Sequence, residues 1–420
     1  MNTSSMRPPA PARSNGSVVP PKPAPPPRVS EVPTPEGMFG AYGGNEAGED
    51  FRAALGQVED WYGRACEDPG LWDELMEHLR SFAGRATPLY GAEGLTAQAR
   101  RRLPRGEGAK IWLKREDLAG TGSGAINHAL GFALLAVKAG ARRLVAPTAG
   151  GAHGVAVAAA AAHMGLECQL FRPTEDRAVE VAGLFGARVS EGEGRMGSLE
   201  AAWEAWRREP GAVLLVPPAA VGAHPLPAMV RDFQSIVGRE LMAQSLRLCT
   251  KLPDVVVSCV GLGAEAAGVF YPFVDDSAVK LVGVEAGGRS GAPGEHAAPL
   301  SMGRPGRALG QAGYTLEGAG VQTIASGLAY GFAGPEHAYW KDLGRVRYTA
   351  VGDEEALHAM NLLARTEGIL ASVEAAHAVA EALRLAGEMK ADQNIVVNLW
   401  GRGDRDVELA SKLEGRASRD

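Results

Sequence analysis

Residues 110–127 indicate the fold most clearly, and they read Lys110-Ile111-Trp112-Leu113-Lys114-Arg115-Glu116-Asp117-Leu118-Ala119-Gly120-Thr121-Gly122-Ser123-Gly124-Ala125-Ile126-Asn127. The apolar run at the start predicts a strand, the glycines predict a tight loop, and residues 127–139 predict a helix. Outward from this stretch, short apolar runs such as Val255–Val260 and Ile395–Leu399 alternate with helical stretches. This alternation predicts an α/β fold with mostly parallel sheets, in which Gly-rich loops at strand ends approach a ligand.

The composition excludes several classes of protein. The chain has 420 residues, 45% of them hydrophobic, and a net charge of −6 from 43 Lys and Arg against 49 Asp and Glu. A mildly acidic chain of this kind is not expected to bind nucleic acid. No apolar stretch reaches the roughly 18 residues of a membrane span, and no His, Cys and Asp cluster has metal-ligand spacing. The four cysteines are scattered, as expected for reduced thiols in a cytoplasmic protein.

Longer motifs follow one another in a fixed order between residues 37 and 406. They are Phe39–Gly44, Arg85–Tyr90, Lys114–Leu118, His153–Ala156, His224-Pro225, Met229–Ser235, Phe270–Phe273, Gly334–Tyr339 and Gly401–Asp404. In this order they resemble the tryptophan synthase β subunit family, which belongs to the fold type II pyridoxal-phosphate enzymes. The resemblance implies two three-layer α/β/α domains with the active-site cavity between them. It also implies a homodimer, an α-like partner subunit, and room for a monovalent cation bound by backbone carbonyls.

The predicted domain organisation follows from this resemblance and from composition. Residues 1–36 are rich in Pro and Ser and predict a disordered tail. Residues 37–90 and 240–408 are expected to form a larger α/β domain, and residues 91–239 a second α/β domain that contains a shortened mobile segment near residues 176–186. Residues 409–420 are expected to form a tail.

The positions that hold the cofactor in the family carry different residues in this chain. Ala125 stands where the family has its Schiff-base lysine, and Gly124 stands at the preceding histidine. An alanine has no amine with which to attach pyridoxal phosphate or to move a proton. Pro147 replaces the catalytic glutamate of the loop that leads to His153.

Further differences affect the parts of the site that would face the phosphate and the ring. In the phosphate cradle, Ala264 and Glu265 replace a serine and an asparagine, and the Glu265 carboxylate would repel a phosphate. Trp400 replaces the serine that contacts the pyridine nitrogen, and Ala329 replaces an aspartate of the closing loop, whereas Glu374 keeps the family's acid near the ring. Together these differences predict a protein that uses no pyridoxal phosphate.

The replaced residues predict an apolar cavity for an aromatic or apolar small molecule. The candidate substrate-binding residues are Trp400, Asn127, His128, Leu262, Pro147 and Ala329. Glu265, Glu374 and His153 are the candidate catalytic residues, because carboxylates and imidazoles transfer protons near neutral pH. The predicted function is a cofactor-independent enzyme, in specialised metabolism, that carries out a cyclisation, an isomerisation or an addition without redox chemistry.

A second interpretation is a non-catalytic paralogue of an active enzyme. Such a protein would bind or regulate an active tryptophan synthase-type partner, and the retained segments Phe39–Gly44 and Arg231–Ser235 would contact that partner. The same segments are equally well explained as packing inside the chain. The indole of Trp400 and the carboxylate of Glu265 favour the enzyme, because decay alone would not place a bulky ring in a cofactor cage without harming its packing.

Overall fold

The computed structural model of the chain describes residues 28–45, 48–173, 179–316, 320–408 and 411. Most of the predicted tail at 1–36, part of the predicted mobile segment and most of the tail at 409–420 lie outside the described residues. Residues 28–36 differ from the prediction of a tail, because they pack on the body of the protein. The Tyr271 hydroxyl donates to the Ser30 carbonyl at 3.2 Å, and the guanidinium of Arg231 donates to the Val32 carbonyl at 2.9 Å.

The described residues form strands and helices in alternation, as the sequence predicts. The strands are β1 Met38–Phe39, β2 Tyr42–Gly43, β3 Leu89–Gly91, β4 Lys110–Lys114, β5 Arg143–Pro147, β6 Glu167–Pro173, β7 Arg188–Gly192, β8 Val213–Leu215, β9 Val255–Cys259, β10 Lys280–Gly288, β11 Arg304–Ala308, β12 Gln311–Thr315, β13 Phe332–Ala333, β14 Val346–Gly352 and β15 Asn394–Asn398. The helices are α1 Glu49–Glu67, α2 Pro69–Ser81, α3 Glu93–Arg100, α4 Ala125–Ala139, α5 Ala152–His163, α6 Val179–Leu184, α7 Gly194–Arg208, α8 Leu226–Gln234, α9 Ile236–Cys249, α10 Ala264–Phe270, α11 Pro299–Met302, α12 Pro335–Asp342, α13 Asp353–Glu367 and α14 Val373–Ala386. None of these helices is both long and apolar enough to cross a membrane.

The larger sheet has six strands in the order β14-β10-β9-β15-β4-β3, and all pairs are parallel except β3 with β4. Every residue of its inner strands β9 and β15 is buried. Helices cover both faces of such a sheet, which explains why these strands read as continuous apolar runs rather than as alternating patterns.

The second sheet has four parallel strands in the order β7-β6-β5-β8. Helices α4, α5 and α7 pack against it. The structure differs here from the predicted domain range 91–239, because β4 pairs with β15 in the larger sheet, with Trp112 opposite Val396. A small antiparallel sheet of β1, β2, β11, β12 and β13 completes the fold.

The carboxyl ends of the parallel strands position the candidate site. The loop after β9 leads into α10, the loop after β5 leads into α5, and the loop after β4 leads into α4. Trp400 follows the end of β15. Ligands of open α/β sheets bind outside the carboxyl ends of the strands, so these loops enclose the expected place for a site.

Candidate active site

A cavity lies where these loops meet, between the larger sheet and the four-stranded sheet, and it comprises about 680 Å³ of space that is partly open to solvent. Its walls come from both sides of the fold. The lining residues are Ser123, Ala125, His128, Ala149, Gly150, Ala152, His153, Pro218, Ala219, Cys259, Leu262, Glu265, Gly327, Leu328, Tyr330, Ser372, Glu374, Trp400, Gly401 and Arg405. The cavity therefore brings together seven sequence-predicted positions: Ala125, His128, His153, Leu262, Glu265, Glu374 and Trp400.

Trp400 and Gly124 form a complementary pair at the start of α4. A Cβ atom added to Gly124 would lie 2.3 Å from Cζ3 and 2.9 Å from Cε3 of the Trp400 ring. Carbon atoms in contact are normally about 3.5–4.0 Å apart. The indole therefore occupies the space that a side chain at residue 124 would need. The neighbouring Ala125 is 2% exposed.

Glu265 is the second residue of α10 and its carboxyl group faces the cavity. Burial raises the pKa of Glu265 to about 7, and the nearby Glu374 contributes to the rise. Among the described residues no other side chain donates a hydrogen bond to it, and the backbone N–H of Glu265 itself donates to the carboxyl group. A carboxyl group with a pKa near neutrality and no side-chain partner can both give and take a proton at physiological pH.

Glu374 lies close enough to Glu265 to affect its pKa, and Asp406 in turn lies close to Glu374. Glu374 accepts a hydrogen bond from the backbone N–H of Gly327 at 2.8 Å, through Oε1. Asp406 accepts one from the N–H of Val373 at 3.0 Å. Burial raises the pKa of Asp406 to about 6, and repulsion by Glu374 adds to the rise. The inner wall of the cavity is therefore acidic.

The ring nitrogens of His153 and His128 are all engaged. Nε2 of His153 lies 3.2 Å from the carbonyl oxygen of Val216, so this nitrogen carries the proton and Nδ1 is the acceptor. Nε2 of His128 donates to that Nδ1 at 3.3 Å, and Nδ1 of His128 accepts from Nε2 of Gln234 at 2.7 Å. Burial lowers the pKa of His153 to about 4 and that of His128 well below its ordinary value, so both rings are neutral.

Three predicted substrate-binding residues lie outside the cavity wall. Asn127 is fully buried. Its side-chain amide accepts a hydrogen bond from Arg85 at 2.8 Å and donates one to Gln234 at 3.0 Å, and these bonds hold it away from the cavity. Pro147 lines a smaller neighbouring cavity of about 260 Å³, which shares Tyr330 with the larger one. Ala329 is 3% exposed and does not line the cavity, whereas Leu328 and Tyr330 on either side of it do.

Gly124 and Ala264 also lie behind the wall and support it. Four polar residues that line the cavity were not predicted from the sequence, namely Ser123, Tyr330, Ser372 and Arg405. The Ser123 hydroxyl is buried and has no hydrogen-bond partner among the described residues. Arg405 is exposed at the rim, where its guanidinium donates to the Gly150 carbonyl at 3.0 Å. Ser123 and Arg405 each lie beside a quoted motif, which is the signal that could have found them.

The two parallel sheets with a cavity at their strand ends define an α/β enzyme scaffold of fold type II. The family model described as "Pyridoxal-phosphate dependent enzyme" matches residues 81–401, so the chain belongs to that family. This match confirms the predicted fold class.

Two solved structures are similar to the chain as folds. One is a fungal L-serine ammonia-lyase from Rhizomucor miehei, with a TM-score of 0.61 and 21% identity, over 78% of this chain and 98% of that one. The other is a pyridoxal 5′-phosphate-dependent aspartate racemase, with a TM-score of 0.59 and 20% identity, over 80% of this chain and 96% of that one. The family and both structures are those of enzymes, in agreement with the interpretation of this chain as an enzyme.

The prediction that the protein uses no pyridoxal phosphate is wrong. The match to the pyridoxal-phosphate-dependent family over residues 81–401 points to pyridoxal phosphate as the cofactor. The attachment lysine and a few contacts are only part of what binds this cofactor, so their replacement does not predict that the whole cofactor is absent.

The residues of the cavity do not fit a cofactor attached through a lysine. Among the described residues that line it there is no lysine. Lys114, which lies on the neighbouring strand β4, is fully buried and points elsewhere, because its ammonium donates to the Thr87 carbonyl at 2.8 Å and to Glu240 at 2.6 Å. In the same cavity the Trp400 ring occupies volume, and the Glu265 carboxyl group adds an acidic group.

Proposed function

We propose that this family member is a tryptophan synthase β-like protein in which Ala125 stands at the position of the Schiff-base lysine. We further propose that it is an enzyme of the lyase or isomerase type, with Glu265 as the group that transfers a proton. One observation carries the proposal: the Glu265 carboxyl group, which no other side chain among the described residues holds, faces the cavity, and burial raises its pKa to about 7.

The chemistry follows from the properties of Glu265. Near neutral pH its protonated and ionised forms coexist, so it can remove a proton from one atom of a bound molecule and return it to another. Such a proton transfer can catalyse the isomerisation or cyclisation of an unsaturated molecule, or the addition of a second molecule to it. None of these reactions needs an electron acceptor. Any pyridoxal phosphate that the cavity holds would be bound without a covalent link to Ala125.

The cavity wall supports an aromatic or apolar small molecule as the substrate. Trp400 contributes a flat ring, and Leu262, Ala149 and Ala152 contribute apolar surface. Pockets for small molecules are mostly apolar, with a few polar groups that fix the orientation of the ligand. Glu265 and Glu374 are the polar groups in this wall that can take up or release a proton near the ligand.

The test is a proton-exchange screen. The purified protein is incubated in D₂O with a panel of aromatic and apolar compounds, with and without added pyridoxal phosphate, and products and deuterium incorporation are followed by NMR and mass spectrometry. Turnover is expected with the wild-type protein and is expected to be lost in Glu265→Gln. The control variant is Glu354→Gln, at the exposed start of α13, which should behave as wild type. Equal turnover by Glu265→Gln and wild type would refute the role of Glu265.

The second interpretation, a binding or regulatory subunit, receives no support from the segments that suggested it. Arg231 is buried and pairs with Asp232 and Glu336 inside the chain. Phe39 is 1% exposed. The homodimer, the α-like subunit and the monovalent cation stay predictions.

A further inference from the structure

We infer that the cavity selects a compact organic cation, such as a primary ammonium group carried on an aromatic or apolar body. This inference names the substrate class of the proposed enzyme and therefore rests on the proposed function. It is carried by four features of the wall: the distribution of charge, an unpaired hydroxyl group, the aromatic rings, and the lack of a cationic side chain on its inner part among the described residues.

The charges are arranged with acids inside and the cation outside. Glu265 and Glu374 line the cavity, and Asp406 lies close enough to Glu374 to be repelled by it. Arg405 is the one cationic side chain among the described lining residues, and it is exposed at the rim with its guanidinium on the Gly150 carbonyl. Carboxylates that lie this close repel one another, and Glu374 adds to the effect of burial in raising the pKa of both neighbours, so a bound cation would stabilise this arrangement.

Ser123 gives an independent indication of a ligand. Its side chain is 1% exposed, it lines the cavity, and its hydroxyl oxygen has no partner among the described residues. Buried polar atoms are nearly always hydrogen-bonded, so an unpaired one in a cavity wall calls for a group from outside the chain. A hydroxyl oxygen can accept from an ammonium, which has three donors, while a neighbouring carboxylate accepts another.

The aromatic rings complete the recognition of a cation. Trp400 and Tyr330 both face the cavity. The face of an indole or phenol ring attracts a positive charge, and the attraction is strongest for Trp and in a desolvated place. An anion would be repelled by the ionised carboxyl groups of Glu265 and Glu374, whereas a neutral ligand would leave their negative charge without an opposite charge.

The test compares three ligands that share a phenyl ring and differ in charge. Binding of 2-phenylethylamine, 2-phenylethanol and 3-phenylpropionate is measured by isothermal titration calorimetry at neutral pH. The amine is expected to bind at least about tenfold more tightly than the alcohol, because a charge-assisted hydrogen bond replaces a neutral one. The propionate is expected not to bind.

Variants assign the preference to the named residues. Glu374→Gln, Glu265→Gln and Ser123→Ala should each weaken binding of the amine and leave binding of the alcohol unchanged, while the exposed control Glu354→Gln should change neither. Thermal melts of each variant confirm that it is folded. The inference is overturned if the alcohol or the propionate binds as tightly as the amine, if none of the three binds, or if the carboxyl variants lose both ligands equally.

The outcome separates this inference from the proposed function. If the amine binds selectively but the exchange screen finds no turnover of any compound, the cation preference stands and the enzyme proposal falls. If the screen finds Glu265-dependent turnover of neutral or anionic compounds only, the enzyme proposal stands and the cation preference falls.

Discussion

The pairing of Gly124 with Trp400 predicts a coupled pair of mutations. Gly124→Ala should destabilise the wild-type protein, because its Cβ atom would lie 2.3 Å from Cζ3 of the indole and the ring would have to move by more than an ångström. Overpacking of this kind costs about 1–3 kcal/mol. Gly124 has φ −65° and ψ −3°, which alanine adopts freely, so the lower entropy of the unfolded alanine chain returns about 0.4–1 kcal/mol. The expected net loss of unfolding free energy is about 1–2 kcal/mol.

Removal of the ring should abolish most of this destabilisation. In a Trp400→Ser background the two ring contacts are absent, and the remaining close atom is Oε2 of Glu116, at 3.0 Å from the added Cβ. Because Arg85 holds that carboxylate in place, part of the cost persists. Gly124→Ala is then expected to be neutral to within about 0.5 kcal/mol, so the coupling energy between the two positions is about 1–2 kcal/mol.

Urea unfolding followed by circular dichroism measures all four proteins of the cycle. The control is Gly56→Ala in α1, where an added Cβ meets nothing within 4 Å and should stabilise both backgrounds equally. An equal loss from Gly124→Ala in the presence and absence of the indole would refute the complementarity of the pair. Such a result would mean that the added Cβ atom clashes with the Glu116 carboxylate rather than with the indole.

Three further predictions follow from the same cavity. In Ala125→Lys, incubation with pyridoxal phosphate and then borohydride should give a reduced adduct on the peptide of residue 125, whereas the wild-type protein should give none on its cavity peptides; an adduct there by mass spectrometry would contradict the proposed loss of the lysine. Because burial raises the pKa of Glu265 from 4.5 to about 7, folding favours its protonated form, and this stabilisation is present at acidic pH and is lost as the pH rises through about 7. The unfolding free energy of wild type should therefore fall relative to that of Glu265→Gln by up to about 3 kcal/mol between pH 4.5 and pH 8, as urea unfolding at several pH values would show; parallel curves would count against a buried carboxyl group. Ser123→Ala should leave the melting temperature of the ligand-free protein unchanged or raise it, because it removes a buried unpaired hydroxyl, and a loss of more than about 1 kcal/mol would reveal a partner for that hydroxyl.

The α/β fold could be predicted because its signals are local. Strand β9 reads as five consecutive residues, Val255–Cys259, all of which are buried, and it is followed by a Gly-rich loop and a helix. The sheet to which β4 belongs could not be read in this way. Its partner is β15, almost three hundred residues further along the chain, and no local pattern reports on that pairing.

The residues of the candidate site could be predicted where the residue type alone determines the chemistry. They could not be predicted where hydrogen-bond partners determine whether the side chain faces the cavity. Glu265 is unusual in a Gly-rich turn, and the structure places its carboxyl group in the cavity. Asn127 has the same polar character, but the guanidinium of Arg85 and the amide of Gln234 hold it inside the protein. The unpaired state of the Ser123 hydroxyl depends on every neighbour in space, so the sequence carries no signal of it.

The hydrogen bonds behind the cavity bear on which group can transfer a proton. They form one continuous chain in which every hydrogen bond runs in the same direction, from the Arg85 guanidinium to the Val216 carbonyl. The chain passes in turn through Asn127, Gln234, His128 and His153. The guanidinium at its head cannot give up its charge, so the direction of the chain is fixed and so is the tautomer of each histidine. A proton taken up by either ring would break a hydrogen bond and leave a charge in a fully buried place, which explains the low pKa values of both. The two histidines thus act as a rigid wall, whereas Glu265, which no other side chain among the described residues holds, keeps the freedom that proton transfer requires.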